Sequence, residues 1–168
     1  MSKTGIFYSF STKNSAGVAE KIKEVFGKDK IDTIAIDEMT DDQFLAYDNY
    51  ILSSPTWFDG ELAGYWDEFV PALEDMDLHG KTVAIFGLGD QIAYPENFGD
   101  AVGLLANILE KQGAKIVGET STRGYTFEKS KAIRNGKFIG LLIDVENQDD
   151  LTDDRVNSWV SEIKKQFK

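Results

Sequence analysis

Hydroxyl and amide side chains are concentrated in one short stretch, Ser9-Phe10-Ser11-Thr12-Lys13-Asn14-Ser15, between an apolar run from Gly5 to Tyr8 and an amphipathic pattern continuing past Ala19. Such a turn can hold phosphate. The first N–H groups of a helix have no intrahelical partner and the helix dipole is positive there, so an anion satisfies both, and the Ser, Thr and Asn side chains add donors. Capping of the helix by Asn14 or Ser15 is the plainer explanation of the same residues. Two other stretches place large aromatics in loops: Ser53 to Gly60 with Trp57, and Gly87 to Asn97 with Tyr94. A planar aromatic ligand between these rings would gain stacking and burial together. Asp90, next to Gly89, could accept from a ring N–H, and main-chain N–H groups of both loops could donate to ring carbonyls. The competing explanation is that Trp57 and Tyr94 cover the sheet edge and Asp90 is a turn residue.

The elements that must position these loops follow from periodicity. Lys3 to Tyr8 reads as a buried strand, and the next segment carries Val18, Ile22, Val25 and Phe26 at helical spacing before Gly27. Asp32 to Ile36 alternates as a second strand, and Thr40 with Gln43 has capping-box spacing for a short helix from Asp41. Tyr50-Ile51-Leu52 makes a third strand that breaks at Ser53-Ser54-Pro55. Leu62, Trp66, Phe69, Val70 and Leu73 form a helical stripe, and Thr82 to Phe86 is the fourth strand, ending in Gly87-Leu88-Gly89. The following helix buries Phe98, Ala101, Val102, Leu105, Ile108 and Leu109. Ile116-Val117-Gly118 begins a fifth strand, and a polar stretch from Glu119 to Lys137 separates it from Phe138 to Ile143, a run that could belong to the same sheet edge. Thr152 can cap a last helix that buries Val156, Trp159, Val160, Ile163 and Phe167. Strands alternating with amphipathic helices imply parallel pairing and right-handed crossovers, hence one doubly wound α/β domain with ligands beyond the carboxyl ends of the strands.

The bulk properties narrow the chemistry. At 168 residues, with 42% hydrophobic and 28% charged residues, the chain reads as a single soluble domain, and no apolar run reaches the roughly 20 residues that span a bilayer. The N-terminus does not resemble a signal peptide, so a cytoplasmic location is expected. Without cysteine there is no thiolate or CxxC chemistry, and any redox role needs a bound organic cofactor. A net charge of −11 argues against nucleic acid and anionic membranes and favours a basic partner. Trp66 and Trp159 lie on apolar stripes and belong to the core. His79, the sole histidine, sits in a polar turn before Gly80, and no triad or metal cluster can be assembled around it.

At the three loops the sequence resembles the flavodoxins, over nearly its whole length. The resemblance rests on Pro55-Thr56-Trp57 followed by Gly60-Glu61-Leu62, on Phe86-Gly87-Leu88-Gly89-Asp90-Gln91 leading to Tyr94 and Asn97, and on Gly136-Lys137-Phe138-Ile139-Gly140 with Asp144, Asn147, Gln148, Leu151, Thr152 and Arg155 after it. These last features and the interrupted fifth strand look like the long-chain subgroup. The resemblance implies a five-stranded parallel sheet of order 2-1-3-4-5 with an insertion in the last strand. It also implies a non-covalently bound FMN between Trp57 and Tyr94, in a monomeric low-potential carrier of single electrons through the semiquinone/hydroquinone couple, with no substrate of its own. Phosphate would sit on Phe10, Ser11, Thr12, Lys13, Asn14 and Ser15. The ring edge would meet the backbone near Pro55, Thr56, Phe58, Asp59, Gly60, Leu88, Gly89 and Asp90, with Asn97 and Glu146 near the flavin or its ribityl chain.

The departures fall in the opening loop. Where flavodoxins usually read Thr-x-Thr-Gly-x-Thr, this chain has Phe10 for the first hydroxyl and Lys13 for the glycine. A lost hydroxyl removes a phosphate bond of roughly 1.5–3 kcal/mol. Lys13 would cost about 1 kcal/mol if the position needs φ > 0, and nothing otherwise. The family's movable peptide, whose carbonyl accepts from reduced flavin N5, corresponds to Phe58–Asp59; neither residue is glycine, so its turn carries a backbone cost. Asp59, Glu61 and Asp90 oppose the anionic reduced flavin and lower that potential. The expected partners are basic-faced redox proteins such as a ferredoxin-type NADP reductase, docking on the rim of Asp59, Glu61, Asp67 and Glu68. A flavin-dependent NAD(P)H:quinone oxidoreductase is the alternative, but no segment offers a nicotinamide site. A phosphoryl-accepting receiver domain is excluded, because Tyr8-Ser9 and Ser53-Ser54 stand where its acidic residues belong.

Overall fold

The structure, a computed structural model, describes residues 2–168. β1 (Thr4–Tyr8) enters the interior at once, every residue after Thr4 being buried. α1 (Lys13–Phe26) buries Ser15, Val18, Ala19, Ile22 and Phe26 and stops at Gly27, whose φ of 109° suits glycine. β2 (Asp32–Ala35) passes through a 3-10 turn, Ile36–Glu38, to α2 (Asp41–Leu45). There Thr40 and Gln43 cap reciprocally, Gln43 N–H donating to Thr40 Oγ1 at 3.2 Å and Thr40 N–H to Gln43 Oε1 at 2.9 Å. β3 (Asn49–Ser53) is buried throughout. A small antiparallel ladder of β4 (Thr56–Trp57) and β5 (Glu61–Leu62) leads into α3 (Gly64–Glu74), β6 (Thr82–Leu88) and α4 (Asp100–Lys111). After β7 (Lys115–Val117) an insertion forms its own sheet of β8 (Thr120–Ser121), β9 (Ile133–Arg134) and β10 (Lys137–Phe138). The chain then returns as β11 (Leu141–Ile143) and ends in α5 (Val145–Gln148) and α6 (Thr152–Gln166).

The central sheet is parallel, in the order β2-β1-β3-β6, and its last place is shared. β7 pairs with Thr82–Ala84 of β6 and β11 with Phe86–Leu88, so the fifth strand is one strand in two pieces with the insertion between them. This is the flavodoxin-like 2-1-3-4-5 order expected above. Because successive strand residues point to opposite faces, the core divides in two. Phe7, Tyr50, Leu52, Val83 and Ile85 pack with Trp66 of α3 and Leu105 of α4. Ile6, Tyr8, Ile51, Ala84 and Phe86 pack with Ile22 of α1 and Trp159 of α6. Both buried tryptophans donate their indole N–H to main-chain carbonyls, Trp66 to Ser53 O and Trp159 to Gly118 O, each at 2.8 Å.

Several boundaries differ from the sequence reading, each for a local reason. β6 runs through Gly87 to Leu88: the glycine that reads as a stop is a point of close approach, where a Cβ would lie 2.6 Å from Ser54 O. Leu62 fits the helical stripe by spacing, yet the chain is still extended there, paired with Thr56. Phe98 precedes α4, because Gly99 at φ 67° is left-handed and no helix passes through it. Phe138 pairs within the insertion, not on the main sheet. Thr152 is the first helical residue of α6 after an N-cap at Leu151, and its hydroxyl is buried without a partner, so it caps nothing. No helix among the described residues is long and apolar enough to cross a membrane.

Candidate functional site

The strand register levels the carboxyl ends of β1, β3 and β6, Phe7 facing Leu52 and Ser53 facing Phe86, so the loops after them meet at one sheet edge. Between the second and third lies a cleft of about 330 Å³ lined by Thr56, Trp57, Phe58, Gly89, Asp90, Tyr94, Asn97 and Phe98. Trp57 is half-buried and held edge-on against Tyr65 at 5.7 Å between centroids, while Tyr94 is 54% exposed. A large tyrosine ring left open beside such a cleft has surface to offer a planar ligand.

The two walls are tied together. Thr56 Oγ1 accepts from the Ala101 N–H at 3.0 Å, and Ser54 Oγ donates to Ala101 O at 3.0 Å. Gly60, buried at φ 95°, lies so near the other wall that a Cβ would sit 2.7 Å from Asp100 Oδ2 and 2.9 Å from Asn97 Nδ2. Phe58 is 75% exposed and stands at φ 51°. A left-handed conformation costs a non-glycine residue roughly 1–2 kcal/mol, and such strain gathers at functional loops.

Asp90 is a turn residue. Its Oδ1 accepts from Ile92 N–H (3.1 Å), Ala93 N–H (2.9 Å) and the Asn147 side-chain amide (2.8 Å). The Ala93 N–H, with Asn147 and the Ile92 N–H, holds the carboxyl below the usual aspartate range despite some desolvation. Behind it the buried Asp144 accepts from Gln91 N–H (3.1 Å), the Gln91 amide (2.8 Å), Asn147 N–H (3.0 Å) and the Asn147 amide (2.9 Å to Oδ2). Gln91 in turn accepts from Thr126 N–H of the insertion. Glu128 and Lys129 N–H both donate to Pro95 O, at 2.8 and 3.0 Å.

The opening loop is built otherwise. α1 closes its first turn only from Ala16 N–H, which donates to Thr12 O at 2.9 Å, so the helix itself leaves the N–H groups of Lys13, Asn14 and Ser15 unclaimed. Thr12 is the N-cap residue but its side chain makes no cap bond, and no acidic residue occupies the first turn. Asn14 and Ser15 lie inside the helix and cap nothing; Ser15 Oγ is buried with no partner. An orphaned hydroxyl beside free N–H groups is the donor set an oxyanion completes. Among the described non-glycine residues only Phe58 and Asn135 have positive φ, so Lys13 carries no left-handed cost. Phe10 is 57% exposed, its ring 5.0 Å from that of Tyr8.

A family model described as Flavodoxin matches residues 6–159. The chain belongs to the flavodoxin family. Among curated flavodoxins, one from Nostoc sp. is 45% identical over 165 residues, covering 98% of this chain and 97% of that protein. Flavodoxin 1 of Escherichia coli K12 is 43% identical over 168 residues, 99% and 96% of the two chains. A crystal structure of Fusobacterium nucleatum flavodoxin bound to flavin mononucleotide superposes with a TM-score of 0.94 at 40% identity, covering all of both chains.

Of the residues expected at a flavodoxin site, Thr56, Trp57, Phe58, Gly89, Asp90, Tyr94 and Asn97 share the cleft. Lys13, Asn14 and Glu146 line a separate hollow of about 370 Å³ with Lys21 and Thr152. Pro55 is buried and Asp59 exposed, and the partly buried Leu88 packs against the α1 and α6 side of the core. Sequence reasoning missed Phe98 as a cleft residue, because its spacing places it on α4. It also missed the anchoring of the Tyr94 loop by Gln91; a buried glutamine has no periodic signature.

Proposed function

We propose that this chain is an electron carrier that holds FMN non-covalently, with the ring between Trp57 and Tyr94 and the phosphate on the loop from Phe10 to Ser15. The observation that carries the reading is the pairing of an aromatic-walled cleft with an uncapped helix N-terminus whose Ser15 hydroxyl lacks a partner. FMN would supply one-electron redox chemistry. The chain's own residues orient the ring, exclude water from its faces and set the charge around it. Main-chain groups of Thr56, Phe58, Asp59, Gly60, Leu88, Gly89 and Asp90 would supply the donors and acceptors for the ring edge, and Pro55 follows the strand that delivers the first of these loops. Ser11, Thr12, Lys13 and Asn14 complete the phosphate loop, and Asn97 and Glu146 flank the chain joining the two ends.

Partner docking fits the same edge. Asp59, Glu61, Asp67 and Glu68 are exposed on the Trp57 side, and the exposed apolar side chains Phe10, Phe58, Ile92 and Tyr94 belong to the three loops. A basic-faced redox protein such as a ferredoxin-type NADP reductase suits an acidic rim around an apolar centre. The reading includes a monomeric, single-domain, long-chain carrier in the cytoplasm that converts no substrate of its own. No observation favours a quinone oxidoreductase, which steady NADPH consumption with a quinone and no added reductase would reveal.

The test is a visible spectrum and an FMN titration of the purified protein. Yellow protein, or colourless protein that quenches FMN fluorescence stoichiometrically, is expected; protein that ignores FMN overturns the reading.

A further inference from the structure

Asp37 is not among the residues assigned to the site. It lies in the 3-10 turn Ile36–Glu38 after β2, the strand beside β1, so the sheet delivers it to the same carboxyl edge as Ser9. Ser9 is 1% exposed, and its Oγ donates to Asp37 Oδ2 at 3.0 Å. Ser9 Oγ and Ser11 Oγ are also 3.0 Å apart. An ionised carboxylate only accepts, and a serine has one proton. Ser9 therefore directs its proton to Asp37 and receives the second bond from Ser11. Ser11, exposed on the loop, turns its proton inward and leaves lone pairs outward, the wrong polarity for a phosphate. Tyr65 Oη is buried without a partner, and burial, followed by the Asp37 charge, holds its phenol above the usual range.

We infer that Asp37 sets the polarity of the Ser9–Ser11 hydroxyl pair and so lowers the affinity of the loop for a phosphate monoester, while leaving ring binding alone. The inference rests on the FMN reading above. Asp37 is a positioning residue: it acts through Ser9 on Ser11. When phosphate arrives, Ser11 must rotate and give up its bond to Ser9 before it can donate outward. An amide at position 37 lifts the constraint, since it can donate through its NH₂ as well as accept: when phosphate draws on Ser11, the amide donates to Ser9, Ser9 donates to Ser11, and the Ser11 proton is free for the ligand.

The experiment measures dissociation constants for FMN and riboflavin, the same ring without phosphate, by fluorescence titration of the full chain freed of flavin. Wild type is compared with Asp37→Asn, Ser9→Ala and the double variant. Asp37→Asn is expected to bind FMN about tenfold more tightly, equivalent to ~1.4 kcal/mol, with riboflavin unchanged. In the Ser9→Ala background the same substitution should have little effect, because the relay is already cut. Unchanged or weaker FMN binding by Asp37→Asn overturns the inference. So does an equal gain in the Ser9→Ala background, which would be charge alone, and so does a parallel change for both ligands, which would be a structural role. Wild type that binds neither flavin overturns the functional reading and the inference with it. Wild type that binds FMN while the variants fail these expectations overturns the inference only.

Discussion

Around Tyr94 the chain is tied down from several sides, whereas around Ser11 it is tied almost from one. The Tyr94 loop is bonded to Asp144 through Gln91, to the insertion through Pro95 and Gln91, and back onto itself through Asp90. The Ser9–Ser15 loop has the Ser9–Asp37 and Ser9–Ser11 bonds and a Thr12 N–H to Ser9 O contact of 3.3 Å, and leaves a buried hydroxyl and three helix-terminal N–H groups open. The ring end is thus preorganised by the protein, and the phosphate end is completed by its ligand. Riboflavin and FMN separate the two. A change at the ring end should move both ligands together, and a change at the phosphate end should move FMN alone.

The largest effect is expected from Asp144→Ala. It strands the buried donors of Gln91 and Asn147 and frees the Tyr94 loop from its anchor, at a cost of about 3 kcal/mol in urea unfolding. FMN and riboflavin affinity should fall by the same factor. A loss confined to FMN would mean that the bracing serves the phosphate end and would break the comparison. Gly60→Ala comes next, at about 2 kcal/mol, because it adds left-handed strain to a Cβ placed 2.7 Å from Asp100 Oδ2. It too should weaken both flavins in parallel, with unfolding midpoints reading the stability loss.

What the sequence disclosed divides along the same line. The strands, the helices on both sheet faces and the interruption before the last strand were legible because burial leaves apolar runs and stripes, as in Ile6-Phe7-Tyr8 or Val83-Ala84-Ile85, whereas the strand order came only with the family resemblance. Trp57 and Tyr94 were legible because burial is not the automatic explanation of a large aromatic in a loop. The brace behind Tyr94 was not. Asp144 and Asn147 stand far in sequence from Gln91, and a hydrogen-bond network between distant polar residues has no spacing rule. Phe98 and Leu62 misled through chance agreement with helical spacing, which only a left-handed Gly99 and a short ladder correct. The Ser9–Asp37 bond was hidden for the same reason as the brace. Each residue reads as an ordinary polar loop position until the parallel register sets the strands side by side.

Phe58→Gly probes the one strained residue at the ring end. Glycine has no Cβ and takes φ of either sign about equally, so the Phe58–Asp59 peptide should turn at about 1 kcal/mol lower cost, on the order of 40 mV in the first one-electron potential. The expected outcome of a redox titration is a wider separation between the two one-electron steps, with the oxidised affinity for riboflavin nearly unchanged. A narrower separation would show that the exposed Phe58 ring, and not its backbone, governs that loop.

Lys13→Gly should have the smallest effect and tests the phosphate end most gently. Lys13 is the exposed first residue of α1 with ordinary helical backbone, so glycine relieves no strain there and loses only some helix preference. An exposed point charge near phosphate contributes up to about 0.5 kcal/mol, which is roughly a twofold weakening of FMN binding. Riboflavin should not respond, and the FMN difference should vanish in high salt, where an exposed charge is screened. Tighter FMN binding by the glycine variant would reverse the assignment. It would mean that the lysine side chain obstructs the anion instead of drawing it, and that the phosphate end, like the ring end, is constrained by its side chains before any ligand arrives.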